Sequence, residues 1–160
     1  MHFKTASPAD IYNVAIEMRD VDLNEIAAVC WTDDRQQIAE NLVHIHTGKP
    51  AVFAFGLDTA IAIWSAIEIW PAVWSLGFFA TDSLPQIGKK LTKTLIRDIV
   101  PLVFEDGYRR VEARSVDTHT EAHKWMKTCG LKQGSTLKNW GKNGEDFIIF
   151  ESTDSKLRGD

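Results

Sequence analysis

The chain has 160 residues, enough for one compact domain with its own core. Aliphatic and aromatic residues make up 44% and charged ones 25%, a balance that excludes a disordered chain. The formal charge is −4 with no Lys/Arg stripe, which argues against a duplex nucleic-acid binder.

Residues His2–Thr5 read as a short first strand. Ser7 then precedes Pro8, a capping residue followed by proline at the first helical position. Ile11, Val14, Ala15 and Met18 follow at helical spacing, and Leu23, Ile26, Ala27 and Cys30 repeat the pattern. A third helix is expected after Thr32, with Ile38, Leu42 and Ile45 on one face, ending at Gly48.

The period then changes. Ala51–Phe55, Ala60–Glu68 and Val73–Ala80 are rich in β-branched and aromatic residues and read as three strands of an antiparallel meander. Gly56, Asp58, Glu68 and Pro71 interrupt this apolar stretch, so it does not read as a membrane span. The opening MHFKTASPAD lacks the basic start and apolar run of a signal peptide, and a cytosolic location is expected.

A long helix follows, striped by Ile87, Leu91, Leu95, Ile99 and Val103, with Pro101 expected to kink or end it and Gly107 closing the segment. Arg110–Val116 reads as a strand. Thr118 and Glu121 have capping-box spacing for a last helix that buries Ala122, Trp125, Met126 and Cys129 and stops at Gly130. Two strands, about Leu131–Asn139 and Asp146–Glu151, flank the turn Gly141–Gly144. Residues 1–151 are read as a single domain and 152–160 as a polar tail. The order predicts an α/β fold with a mixed six- to seven-stranded sheet and helices on its faces.

Several residues invite a chemical reading. Glu112 alternates with Arg110 and Arg114 on one strand face, where flanking guanidinium groups favour a charge cluster over a general base. Glu68 interrupts an apolar strand and reads equally as a base or as a strand-end carboxylate in solvent. His119 and His123 share a helix face, but the arrangement lacks the zincin pattern and a third ligand, so no metal site is expected. His44 and His46 read as favourable charges near a helix C-terminus. Cys30 and Cys129 read as small hydrophobes. Trp64, Trp70, Trp74 and Trp125 are assigned to the core, and Trp31 and Trp140 to partly exposed element ends that a partner could use.

The element order, together with the segment Glu121–Leu131, resembles the GNAT acetyltransferase fold over about Phe3–Glu151. Met18–Ile26, Trp70–Ser75, Phe79–Asp82, Arg110–Ser115 and Gly144–Phe147 further resemble a short phage family that includes the small internal virion protein of podoviruses. That resemblance implies an internal virion or head-morphogenesis protein in the host cytoplasm, with virion proteins as partners and weak or absent catalysis.

The wider resemblance implies an N-acetyltransferase that uses acetyl-CoA and an amine acceptor. The backbone of Phe79 and Ala80 would then pair with pantetheine, and Gln86, Ile87, Gly88 and Lys89 would cradle the pyrophosphate. Gly88 matches the last glycine of the family's phosphate loop, whereas Ser83 and Gln86 replace its first two markers and Pro85 removes a donor. Met126 stands where the family has a tyrosine. Glu68 and Glu112 remain as bases by position, and His119 lies where the thiolate would form.

Overall fold

The structure, a computed structural model, describes residues 1–153. Chain order gives β1 (His2–Thr5), α1 (Pro8–Ile16), α2 (Asp20–Ala27), α3 (Arg35–His46), β2 (Val52–Gly56), β3 (Ala60–Trp70) and β4 (Val73–Ala80). A 3-10 turn at Leu84–Gln86 leads into α4 (Gly88–Thr94), a π-helical turn (Leu95–Ile99) and α5 (Val100–Val103). Then come β5 (Arg110–Val116), α6 (Thr120–Thr128), β6 (Lys132–Leu137) and β7 (Phe147–Ser152). The seven strands are ordered β1-β2-β3-β4-β5-β7-β6. β4 and β5 run parallel, and β1–β2, β2–β3, β5–β7 and β6–β7 pair antiparallel, which makes the mixed sheet that the element order predicts. None of the described helices is long and apolar enough to cross a membrane.

Two compact parts are built from this chain, one from Met1–Ser65 and Gly77–Leu91, the other from Ala66–Leu76 and the residues from Thr92 onward. In the first part α1 starts on a reciprocal cap: Asp10 N–H donates to Ser7 Oγ at 3.2 Å, and Ser7 N–H donates to Asp10 Oδ2 at 3.0 Å. Its buried face, Ile11, Val14 and Ala15, packs with Ile38 and Ala39 of α3 against Val52, Ala54, Ile63 and Phe79. Every residue of β2 is buried, as expected of a strand covered on both faces. Asp34 caps α3, and the helix ends with Ile45 turned out, 49% exposed, and His46 turned in, 6% exposed. Ile38 and Leu42 face the core as expected and only Ile45 departs, because the i, i+4 row continues from Leu42 to His46. Cys30 lies beyond the end of α2 rather than on it.

In the second part Val111, Ala113 and Ser115 line one buried face of β5, and Glu112 on the other face is buried as well, with Arg110 half-buried and Arg114 exposed beside it. Trp74 meets Phe104 edge-on at 5.5 Å between ring centroids, and Phe104 meets Tyr108 at 5.2 Å. Trp70, assigned to the core by its sequence context, is 59% exposed because it ends β3 at the Pro71–Ala72 turn. Pro101 changes the helix ahead of it rather than ending it there. Its ring would crowd the Arg97 carbonyl in a regular helix, and the preceding turn is π, with Val100 N–H bonded to Leu95 O.

The Thr118–Glu121 capping box does not form. His119 occupies the cap position, the Thr118 carbonyl accepts from Thr120 N–H at 3.0 Å, and Glu121 pairs with Lys124 at 2.6 Å. The buried residues of α6 are His123 and Met126, with Ala122, Trp125 and Cys129 only half-buried. Gly130 ends the helix at φ +94°, a conformation that a Cβ would strain. β7 reaches Ser152, one residue into the stretch read as tail, and residues 154–160 lie outside the described residues.

Candidate functional site

The phosphate-loop candidate belongs wholly to the first part. Gln86 N–H donates to Ser83 O at 3.0 Å and Ile87 N–H to Leu84 O at 3.0 Å, so the 3-10 turn made around Pro85 uses both donors. Leu91 N–H donates to Ile87 O at 2.8 Å. Between them, the backbone N–H groups of Lys89 and Lys90 bond no other described residue, as expected for the first turn of a helix. Both lysine side chains are exposed and make no ion pair with described residues. A Cβ placed on Gly88 meets nothing within 4 Å. Of the expected Gln86, Ile87, Gly88 and Lys89, the first two have their N–H groups engaged in the turn, and the backbone donors that bond no other described residue are those of Lys89 and its neighbour Lys90.

The end of β4 is differently occupied. Phe79 is buried and its ring lies 5.9 Å from that of His46. Thr81 N–H donates to Ile61 O at 2.9 Å, so by strand alternation the backbone of Phe79 also faces β3. Ala80 faces the other way. Its N–H donates to Asp22 Oδ2 at 3.0 Å and its carbonyl accepts from Arg19 N–H at 2.9 Å. Asp22 is 5% exposed and is gripped by the Arg19 fork, Nε at 2.9 Å and Nη2 at 2.8 Å. The sequence offered a signal for this pair, an Arg and an Asp three apart at a helix start, but no way to place Ala80 beside them.

A second buried polar pair was also missed. His46 Nδ1 lies 2.7 Å from Leu42 O, and Nε2 lies 3.1 Å from Ser65 Oγ. A carbonyl only accepts, so Nδ1 carries the hydrogen and Nε2 accepts from the Ser65 hydroxyl. Burial pushes the imidazole below its ordinary titration range, so it serves as a neutral core group and not as a charge at the helix end.

The three proton-transfer candidates all lie in the second part. Glu68 is exposed and its Oε1 accepts from Ala72 N–H at 2.8 Å, which closes the β3–β4 turn where Ala72 has φ +61°. Glu112 is buried and each of its oxygens takes a guanidinium: Arg110 Nε at 2.7 Å and Arg114 Nη2 at 2.6 Å. Arg110 also pairs with Glu151. A carboxylate held on both oxygens orders its neighbours and has little access to a substrate proton. His119 starts α6 through its backbone, with its N–H on Val116 O at 3.0 Å and its carbonyl accepting from His123 N–H at 3.2 Å. Burial pushes the Cys129 thiol up to about 12, so it stays protonated. Among the described residues no three of His, Cys, Asp and Glu gather where they could hold a metal ion.

No family model matches the sequence, and no curated protein matches it. Solved structures do match. An N-acetyltransferase from Staphylococcus aureus superposes with a TM-score of 0.68 at 20% identity, over 97% of this chain and 98% of that one. A GNAT superfamily phosphinothricin acetyltransferase from Sinorhizobium meliloti, in complex with acetyl-CoA, superposes at 0.69 and 18% identity over 94% and 86%. A ribosomal-protein-alanine N-acetyltransferase from Brucella melitensis superposes at 0.68 and 18% over 96% and 100%. At such identities the likeness speaks for the fold, which is that of the GNAT acetyltransferases.

Proposed function

We propose that the chain is an acetyltransferase-like protein on a GNAT scaffold in which acetyl transfer is weak or absent. The observation that carries this is the occupied backbone of Ala80, whose N–H and carbonyl both bond within the protein. The proton-transfer groups add to it: Glu112 is held by two guanidinium groups and Met126 has no proton to give. The phage resemblance of Met18–Ile26 and the other quoted segments supplies the setting, an internal virion or head-morphogenesis protein made in the host cytoplasm. Mass spectrometry of purified particles tests that setting; absence of the protein from both virions and assembly intermediates overturns it.

A second reading, a working N-acetyltransferase, is favoured by the open space at Gly88 beside the Lys89 and Lys90 N–H groups, which bond no other described residue. The phosphate end of acetyl-CoA fits these residues: two backbone donors, two exposed lysine charges with no ion pair among the described residues, and open space at Gly88. Acetyl-CoA would supply the activated thioester. On this reading Glu68, exposed and with Oε1 engaged, would take the proton that the acceptor amine loses as its nitrogen bonds to the acetyl carbon, while the carbon–sulfur bond breaks and the CoA thiolate leaves and takes a proton from solvent.

Calorimetry with acetyl-CoA decides between the readings, with Gly88→Trp as the obstructed control. No heat at high micromolar ligand rules out the enzyme. Binding that Gly88→Trp abolishes, followed by turnover with an amine, overturns the weak-catalysis reading.

A further inference from the structure

The geometry points to the segment Arg19–Asp22 as a displaceable strap that competes with an acyl-CoA for the Ala80 edge of β4; this rests on the reading of Gly88–Lys90 as an acyl-CoA phosphate site. Met18 forms an antiparallel bridge with Thr81, so the strap lies along the strand end like a short extra strand. It offers Ala80 one donor, the Arg19 N–H, and one acceptor, the Asp22 carboxylate. An extended ligand with amide groups offers a strand edge the same pair. Strap and ligand therefore ask for the same two backbone groups.

The distribution of contacts makes the strap removable. The ion pair that neutralises Asp22 is with Arg19, three residues away on the strap itself, so it moves with the segment instead of breaking. Opening then exchanges the two hydrogen bonds to Ala80 for two with the ligand. Arg35 supplies the hinge: its Nη1 donates to Met18 O at 2.8 Å and to Ile16 O at 3.3 Å, holding the chain just before the strap. Met18 is buried and stays as the anchor, whereas Asp20 and Val21 are exposed and have little packing to lose. Arg35 Nη2 to Asp20 Oδ1, at 3.0 Å, is a further latch, and Asp20 is almost wholly in solvent, where such a pair is weak.

The test is acetyl-CoA calorimetry on the full chain and on Asp22→Ala and Asp22→Asn, with peptide-level hydrogen exchange over the end of β4. Asp22→Ala removes the strap's acceptor. It is expected to tighten acetyl-CoA roughly ten-fold, the scale of one charge-assisted hydrogen bond, and to speed exchange at the Ala80 amide until ligand restores protection. Asp22→Asn keeps the shape and an acceptor oxygen but loses the charge that holds Arg19, and it is expected to fall between the two; it carries the test if Asp22→Ala does not fold. Equal or weaker affinity in both variants overturns the strap while leaving the acyl-CoA site standing. Absence of binding in the wild type and in both variants overturns the site and the strap together.

Discussion

Gly77 leaves the space that the Ser65 hydroxyl fills: a Cβ on Gly77 would lie 2.7 Å from Ser65 Oγ and 3.8 Å from His46 Nε2. The requirement is steric, and the neighbour is a short side chain already hydrogen-bonded to His46. Gly77→Ala is expected to lower stability by about 1–3 kcal/mol in urea denaturation. Adding Ser65→Gly should return part of that loss, because it removes the atom that is struck. A Gly77→Ala protein as stable as the wild type would show that the strand shifts freely.

His46 makes stability depend on pH. Its folded value is pushed below the ordinary 6.5 by burial, so in mildly acidic solution the unfolded chain takes up a proton that the folded one refuses. Stability is fully present above pH ~6.5 and falls as the pH drops below it, by at most about 1.4 kcal/mol per unit, until the folded imidazole also protonates. Urea midpoints at pH 7.5 and 5.5 read this directly. His46→Gln should flatten the difference.

The two glutamates should separate cleanly. Glu112→Gln leaves Arg110 and Arg114 facing a neutral amide. It should cost about 1–2 kcal/mol, less than a fully buried pair because both guanidinium groups are partly in water. Glu68→Gln still offers Ala72 an acceptor and should stay within about 0.5 kcal/mol of wild type. If acetyl transfer is detected, Glu68→Gln should lower kcat and flatten its pH profile, and an unchanged profile removes Glu68 as the base.

Cys129 should resist alkylation. With its thiol pushed up to about 12, the thiolate fraction at pH 8 is tiny. Iodoacetamide should modify it at least roughly a hundred-fold more slowly in the folded chain than in urea, as read by mass spectrometry of the peptide containing it.

Strand and helix positions were legible wherever one period dominated. Arg110–Val116 is a strand with the expected ends, and Ser7–Pro8 starts a helix as its chemistry demands. Failures came where a tertiary partner decided. The sequence around Thr118 carries a capping box, but the turn after β5 hands the cap to His119. His46 looked like a solvent charge because nothing local reveals Ser65, nineteen residues on, as its partner. Of the stretch Gln86–Lys89 proposed from Gly88 as a phosphate cradle, Gln86 and Ile87 have spent their N–H groups, because Pro85 draws them into a 3-10 turn that no spacing rule announced. The closure of Ala80 by Asp22 depends on a contact 58 residues apart that no spacing rule encodes.

Ile87, Leu91, Leu95 and Ile99 are all buried, although they follow one another at a strict interval of four. On an α-helix of 3.6 residues per turn such a row creeps about 40° at each step and would wind its last members away from the core. The wide turn at Leu95–Ile99 runs against that creep over its own step, because more residues share one revolution there. The spacing of the aliphatic residues and the proline beyond them thus ask for the same local unwinding. Side-chain phase and backbone hydrogen bonding are two expressions of one constraint in this turn, and restoring a regular α-turn would rotate Ile99 relative to Leu95.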